Sequence, residues 1–163
     1  MRLTSYTDYA LRSLMYLGMN RDRLVTIQDI ADAHGIAKNH LTKVVNHLSA
    51  IGVIDSVRGR NGGLRLGKEP GEINIGYIVR NTENDFYIAE CFNPDKEGCM
   101  YSSACILKGV LKQANNAFLD VLDGMTLESI LLQGSNPRAG KQARSGVSSL
   151  KLQVKPATPE KVD

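Results

Sequence analysis

Residues 26–48 read TIQDIADAHGIAKNHLTKVVNHL, and the fold turns on how this stretch is read. Thr26 is suited to cap a short helix whose apolar positions are Ile27, Ile30 and Ala31, and Gly35 supplies a tight turn after His34. Ile36 leads into a second helix with Leu41, Val44, Val45 and Leu48 on its inner side. Two short helices joined by a glycine turn, with small Ala31 permitting close packing, make a helix-turn-helix. The outer side of the second helix offers Lys38, Asn39, His40, Thr42, Lys43, Asn46 and His47. Such residues suit a DNA major groove, because lysine reaches phosphate or guanine and asparagine can pair with adenine through two hydrogen bonds. A plain solvated helix face is the competing reading. His40 and His47 have no cysteine near them in the sequence and read as surface or phosphate-contacting groups.

Working outward, Thr4 to Gly18 spaces Tyr6, Tyr9, Ala10, Leu14 and Leu17 as an amphipathic helix, with Thr4 or Ser5 as cap and Gly18 as stop. Asp8 falls in its first turn, where a carboxylate is favoured by the positive helix end. On the other side, residues 53–66, VIDSVRGRNGGLRL, form two short alternating runs around a turn at Asn61-Gly62. A basic hairpin after a helix-turn-helix is the wing of a winged helix, and Arg58, Arg60 and Arg65 are placed to address phosphates or a minor groove.

After Pro70, the positions of Ile73, Ile75, Ile78 and Val79 suggest a short helix capped by Asn74. A longer one is expected from about Ser103 to Leu122, with a stripe of Ile106, Leu107, Val110, Leu111, Ala114, Phe118, Val121 and Leu122. So long a stripe beside so small a remaining core points to packing against a second copy in a homodimer, with intrachain packing on the first helix as the other outcome. Gly124 ends it, and Thr126 caps a last short helix. The expected class is mainly α with a small β wing. Its expected divisions are a winged helix-turn-helix DNA-binding domain over 1–70, a cofactor loop and dimerisation helix over 71–133, and a disordered basic tail over 134–163.

All three cysteines fall in residues 91–105, CFNPDKEGCMYSSAC, spaced Cys-x7-Cys-x5-Cys. Buried thiols, or a redox disulfide with a spare thiol, are two readings. The polar loop around Pro94, Gly98, Ser102 and Ser103 favours a third, in which Cys91, Cys99 and Cys105 converge on a metal centre. Structural zinc sites favour closer cysteine pairs, so an iron–sulfur cluster is the better match. Three thiols are one ligand short of the usual four, so the fourth comes from elsewhere or the site is open.

The net charge of +3 is unevenly spread. Residues 1–70 carry ten Lys/Arg against six Asp/Glu, residues 71–133 four against nine, and residues 134–163 six against two. A basic front end fits a polyanionic partner. No run of about 18 apolar residues and no secretory core is present, so a cytoplasmic protein with reduced thiols is expected. No paired acid and base or phosphate-cradling glycine loop accompanies the cysteines, which argues against an enzyme.

Together MRLTSYTDYALRSL, the helix-turn-helix ending NHLTKVVNHLS, the wing VRGRNGGLRLGK and the three-cysteine loop resemble the winged-helix iron–sulfur transcriptional regulators that include IscR and NsrR, over about residues 1–132. The resemblance implies a homodimer whose cluster controls its affinity for a palindromic operator. IscR-like members use a histidine three residues after the last cysteine, where this chain has Lys108. Members resembling NsrR carry an aspartate in the first helix, matching Asp8, that reaches the cluster of the partner subunit. The implied ligands are therefore Cys91, Cys99, Cys105 and Asp8, the implied cofactor a 4Fe–4S cluster, and the implied signal nitric oxide. The first cysteine spacing is longer than the family's, which keeps a 2Fe–2S cluster open. A redox or iron-status regulator, with a 2Fe–2S cluster or a thiol switch, is the alternative.

Overall fold

In the computed structural model, residues 2–95 and 105–134 are described. The order is α1 (Ser5–Met19), α2 (Ile27–His34), α3 (Lys38–Ala50), β1 (Ile54–Val57), β2 (Gly63–Leu66), α4 (Ile75–Thr82), α5 (Ile106–Asp123) and α6 (Leu127–Gly134). Short 3-10 turns lie at Pro70–Glu72 and Glu90–Phe92. The expected class, mainly helical with a small antiparallel wing, is the one found.

Thr4 caps α1 by accepting the Thr7 amide at 3.3 Å. The helix then runs through Gly18 instead of stopping there. What Gly18 provides is space: a Cβ at that position would lie 2.5 Å from Leu131 Cδ1, so its missing side chain lets α6 close onto α1. The inward positions Ala10, Leu14 and Leu17 are buried, as their spacing predicts.

Thr26 and Asp29 form a reciprocal capping box on α2, each side chain accepting the other's backbone amide, at 3.1 and 2.8 Å. The Thr26 amide, with Arg23 beside it, holds the Asp29 carboxyl below its usual range. The Asp29 half of the cap is therefore at full strength at neutral pH and weakens as acidification protonates the carboxyl, while the Thr26 half remains. Thr26→Ala is expected to cost about 1 kcal/mol of unfolding free energy, measured by urea titration. Gly35 closes α2 in the left-handed region at φ 64°, and α3 follows with Leu41, Val44, Val45 and Leu48 buried.

The wing pairs Ile54 with Leu66 and Asp55 with Arg65. Its tip differs from the expected two-residue Asn61-Gly62 turn. Residues 58–62 form a longer loop in which the Gly62 amide bonds the Gly59 carbonyl at 3.0 Å, leaving Arg60 and Asn61 at the apex. Gly59, at φ 118°, takes the positive angle that the expected turn assigns to Asn61 and Gly62. Val25 exchanges two backbone bonds with Leu64, at 3.0 and 2.7 Å, and so stitches the wing to the strand-like residue before α2.

One hydrophobic core collects Leu14, Ile30 and Leu48 together with Ile78, Val79 and Leu127, so α4 and α6 pack on the same core as the winged helix. Within the chain, α5 rests chiefly on α4, where Arg80 grips both Asp123 oxygens, one at 2.7 Å, and Asn74 donates to the Asp123 carbonyl at 2.6 Å. It is α6 that takes the place against α1. No helix of the described residues is long and apolar enough to cross a membrane.

Candidate nucleic-acid interface and metal centre

The outward face of α3 is divided between exposed side chains and side chains anchored to neighbours. Lys38, Asn39, Lys43 and Asn46 are exposed, as a groove-facing set must be. Thr42 is half-buried, and its hydroxyl donates to the Lys38 carbonyl at 3.0 Å, four residues back. His40 is exposed but stacks on the Tyr9 ring, with centroids 6.2 Å apart and planes 16° from parallel. His47 is half-buried with Nδ1 3.1 Å from the Tyr6 hydroxyl, which withdraws it from the polar face. On the wing, Arg58 and Arg60 are exposed at the tip and make no ion pair among the described residues. Arg65 is also exposed but pairs across the strands with Asp55 at 3.4 Å. The two tip arginines are thus the freer pair to meet a polyanion.

Burial raises the Tyr6 hydroxyl above its ordinary pKa and keeps it a hydrogen-bond donor. It donates to the Lys43 carbonyl at 3.3 Å, and the imidazole bond is completed when His47 donates from Nδ1 to the same oxygen. Both contacts escaped the sequence reading, although tyrosines three apart on α1 and histidines seven apart on α3 are matching helical spacings.

Cys91 lies in the Glu90–Phe92 turn and Cys105 caps α5; both are half-buried free thiols. Cys99 lies outside the described residues. Cys105 Sγ accepts the Lys108 amide at 3.4 Å, which fixes the sulfur at the N-terminal end of α5. Lys108 also sets its ammonium 5.8 Å from the Phe92 ring centroid, fastening the start of α5 to the residue beside Cys91. Lys108 thus stands where a fourth ligand is expected in IscR-like chains, and it acts as a tie between the two thiol-bearing segments. Two half-buried thiols tied in this way are donors of the right chemistry for an iron–sulfur cluster.

Asp8 is about half exposed and pairs with Arg12 one turn along α1 at 2.9 Å. Among the described residues, no group of three or more histidine, cysteine or acidic side chains gathers to hold a metal. Asp8 and the thiols Cys91 and Cys105 are therefore not brought together within one chain.

Residues 3–133 match the profile of the Rrf2 family, described as an iron-dependent transcriptional regulator. A Bacillus licheniformis protein named HTH-type transcriptional regulator NsrR is 51% identical over 139 residues, covering 85% of this chain and 97% of the relative. The protein of the same name from Bacillus subtilis is 48% identical over 132 residues, covering 80% and 90%. Among solved structures, IscR of T. potens has the same fold, at TM-score 0.64 and 23% identity over 91% of this chain and 93% of that one. The named relatives are regulators of transcription, not enzymes. With a family profile spanning nearly every described residue and relatives close to half identical across most of both chains, this chain belongs to the Rrf2 family of transcriptional regulators.

Proposed function

We propose that the chain is a homodimeric DNA-binding repressor that senses nitric oxide through an iron–sulfur cluster held by Cys91, Cys99 and Cys105, with Asp8 of the partner subunit as fourth ligand. The observation that carries this reading is α5. It begins directly on Cys105, runs 18 residues and buries none of its side chains within the chain. Its outward stripe of Ile106, Leu107, Val110 and Val121 is 84, 64, 54 and 68% exposed. An apolar stripe of that length calls for a cover, and a second α5 covers it symmetrically. The same association would supply an Asp8 from across the dimer to thiols that have no fourth ligand among the described residues of their own chain.

A bound cluster would supply iron that a diatomic ligand attacks. Asp8, a hard oxygen donor among thiolates, would be the weakest of the proposed ligands and the one most open to displacement. While it stays, it straps one chain's DNA-binding helices to the other chain's cysteine loop. Its release frees the two α3 helices from a spacing of roughly one DNA turn, about 34 Å, that a palindromic operator requires. Lys38, Asn39, His40, Thr42 and Lys43 address the groove in this reading, and Arg58, Arg60 and Arg65 the backbone. The protein works in the cytoplasm, where thiols stay reduced and DNA is at hand.

Native mass spectrometry of anaerobically purified protein, before and after nitric oxide, tests the proposal. A dimer carrying one 4Fe–4S cluster per chain whose mass changes with the gas supports it. A 2Fe–2S mass indifferent to nitric oxide moves the signal to redox or iron status, and a metal-free dimer leaves a thiol switch. Independently, Arg60→Ala is expected to weaken operator and nonspecific DNA alike and to lower the slope of log affinity against log salt by about 1. An unchanged slope in a salt-titrated gel shift removes the wing tip from the interface.

A further inference from the structure

Asp8 sits between two tyrosines that face a different way. At 3.6 residues per turn, Asp8 lies about 100° around α1 from Tyr9 and about 160° from Tyr6. Tyr6 and Tyr9 both reach α3, whereas Asp8 is half exposed against Arg12. The α3 residues they meet, His40, Lys43 and His47, follow one another along a single face of that helix. α1 therefore holds α3 at two points two turns apart and presents the carboxylate elsewhere.

We propose that Tyr6 and Tyr9 are positioning residues that carry the state of Asp8 to α3, Tyr6 through a hydrogen-bonded clamp on His47 and the Lys43 carbonyl, Tyr9 through its stack on His40. The inference rests on Asp8 acting as a ligand and names the contacts by which its capture or release reorients the DNA-reading helix. The buried contacts of Ala10, Leu14 and Leu17 are nondirectional and tolerate a small rotation of α1. The clamp does not, because hydrogen bonds weaken steeply with angle and the Tyr6 hydroxyl stands at the end of a long rigid arm. An open cleft lined by Thr4, Tyr6, His47, Asn81, Thr82 and Asn84 adjoins it, so the ring has space to leave its partners when α1 turns. The clamp also seizes the backbone of Lys43, one of the exposed cations on the groove-facing side, so its loss acts on DNA contacts without altering any of them chemically.

The test compares wild type, Tyr6→Phe, His47→Leu and His47→Asn, each with its cluster intact and after removal of the cluster. The probe is a palindromic duplex selected by the wild-type protein from a randomised pool. The readout is the ratio of the two dissociation constants for each protein, with cluster absorbance and iron content measured on the same samples. The expected result is a normal cluster spectrum in every variant, a ratio reduced at least tenfold toward unity in Tyr6→Phe and His47→Leu, and a largely kept ratio in His47→Asn, whose amide can donate from the Nδ1 position. Wild-type ratios in both Tyr6→Phe and His47→Leu overturn the clamp while leaving the sensor reading in place. Loss of the cluster itself in Tyr6→Phe overturns it too, by placing Tyr6 at the metal centre. A wild-type protein whose affinity ignores the cluster overturns both readings together.

Discussion

Asp8→Ala is expected to leave the fold standing and, if the proposed ligand role holds, to remove gas control. The carboxylate is about half exposed and its one ion pair among the described residues, with Arg12, is an i,i+4 surface pair of the kind worth about 0.3–0.5 kcal/mol. The thermal midpoint of the cluster-free protein is therefore expected to move by no more than a few degrees. The cluster is where the loss falls. Removing even groups that merely orient a metal ligand commonly costs 10–100-fold in affinity, so deleting a ligand is expected to speed cluster loss by at least about tenfold. Anaerobic decay of the cluster absorbance gives that rate, and gel shifts with and without nitric oxide give the control. Operator binding by the variant is expected to be weak before the gas arrives and little changed after it. Wild-type cluster lifetime together with a wild-type response to nitric oxide would falsify the ligand role.

The framework that puts Asp8 and α3 in place is mostly written in local signals. Thr26 with Asp29, Gly35, and the spacing Leu41–Val44–Val45–Leu48 each name their own structure, because a cap, a left-handed turn and a buried face depend on neighbours within a few residues. Asn74 and Thr126 are equally local and cap α4 and α6 as their positions suggest. The misreadings come where a distant partner decides. Gly18 reads as a stop only while Leu131 is unknown, and its purpose is the approach of α6. The wing tip follows the Gly59 conformation and not the Asn61-Gly62 pair, since the loop is long enough to close one residue earlier. For the long helix the expected in-chain neighbour is α1, whereas its inner side rests chiefly on α4 through Arg80 and Asp123.

For the candidate site the split is sharper. Residue types were readable, since exposed lysine, asparagine and arginine and a trio of thiols carry their chemistry in their identity. Their anchoring was not. That His47 turns to Tyr6, that Arg65 is taken by Asp55 and that Lys108 lies over Phe92 are all pairings between residues ten or more positions apart, set by how helices and strands dock. Each changes which side chains remain available: Arg58 and Arg60 stay free on the wing, and Lys108 joins the cysteine-bearing segments.

The second large effect is expected at α5. Leu107→Lys combined with Val110→Lys places two charges in the first turns of its exposed stripe, at positions 64 and 54% exposed and outside the buried core. The chain keeps its fold for that reason, and circular dichroism should show unchanged helix content. In a symmetric pair of helices the same two positions recur on the partner copy, so the apolar seam takes in four unpaired like charges, whose desolvation costs several kcal/mol. Sedimentation is therefore expected to show monomers. Operator binding should fall much further than any single contact explains, because a dimer gains its second half-site at the effective concentration set by the link between its halves. Losing that link commonly costs on the order of 10²–10⁴-fold in avidity. A duplex with one half-site separates this loss from damage to the reading head: the variant and the wild type should bind it alike, since Lys43, Arg58 and Arg60 lie on other elements. A variant that remains dimeric and binds the full palindrome normally would show that some surface other than this stripe joins the two chains. Asp8 of the partner subunit would then have to be brought to the thiols by a different arrangement of α1.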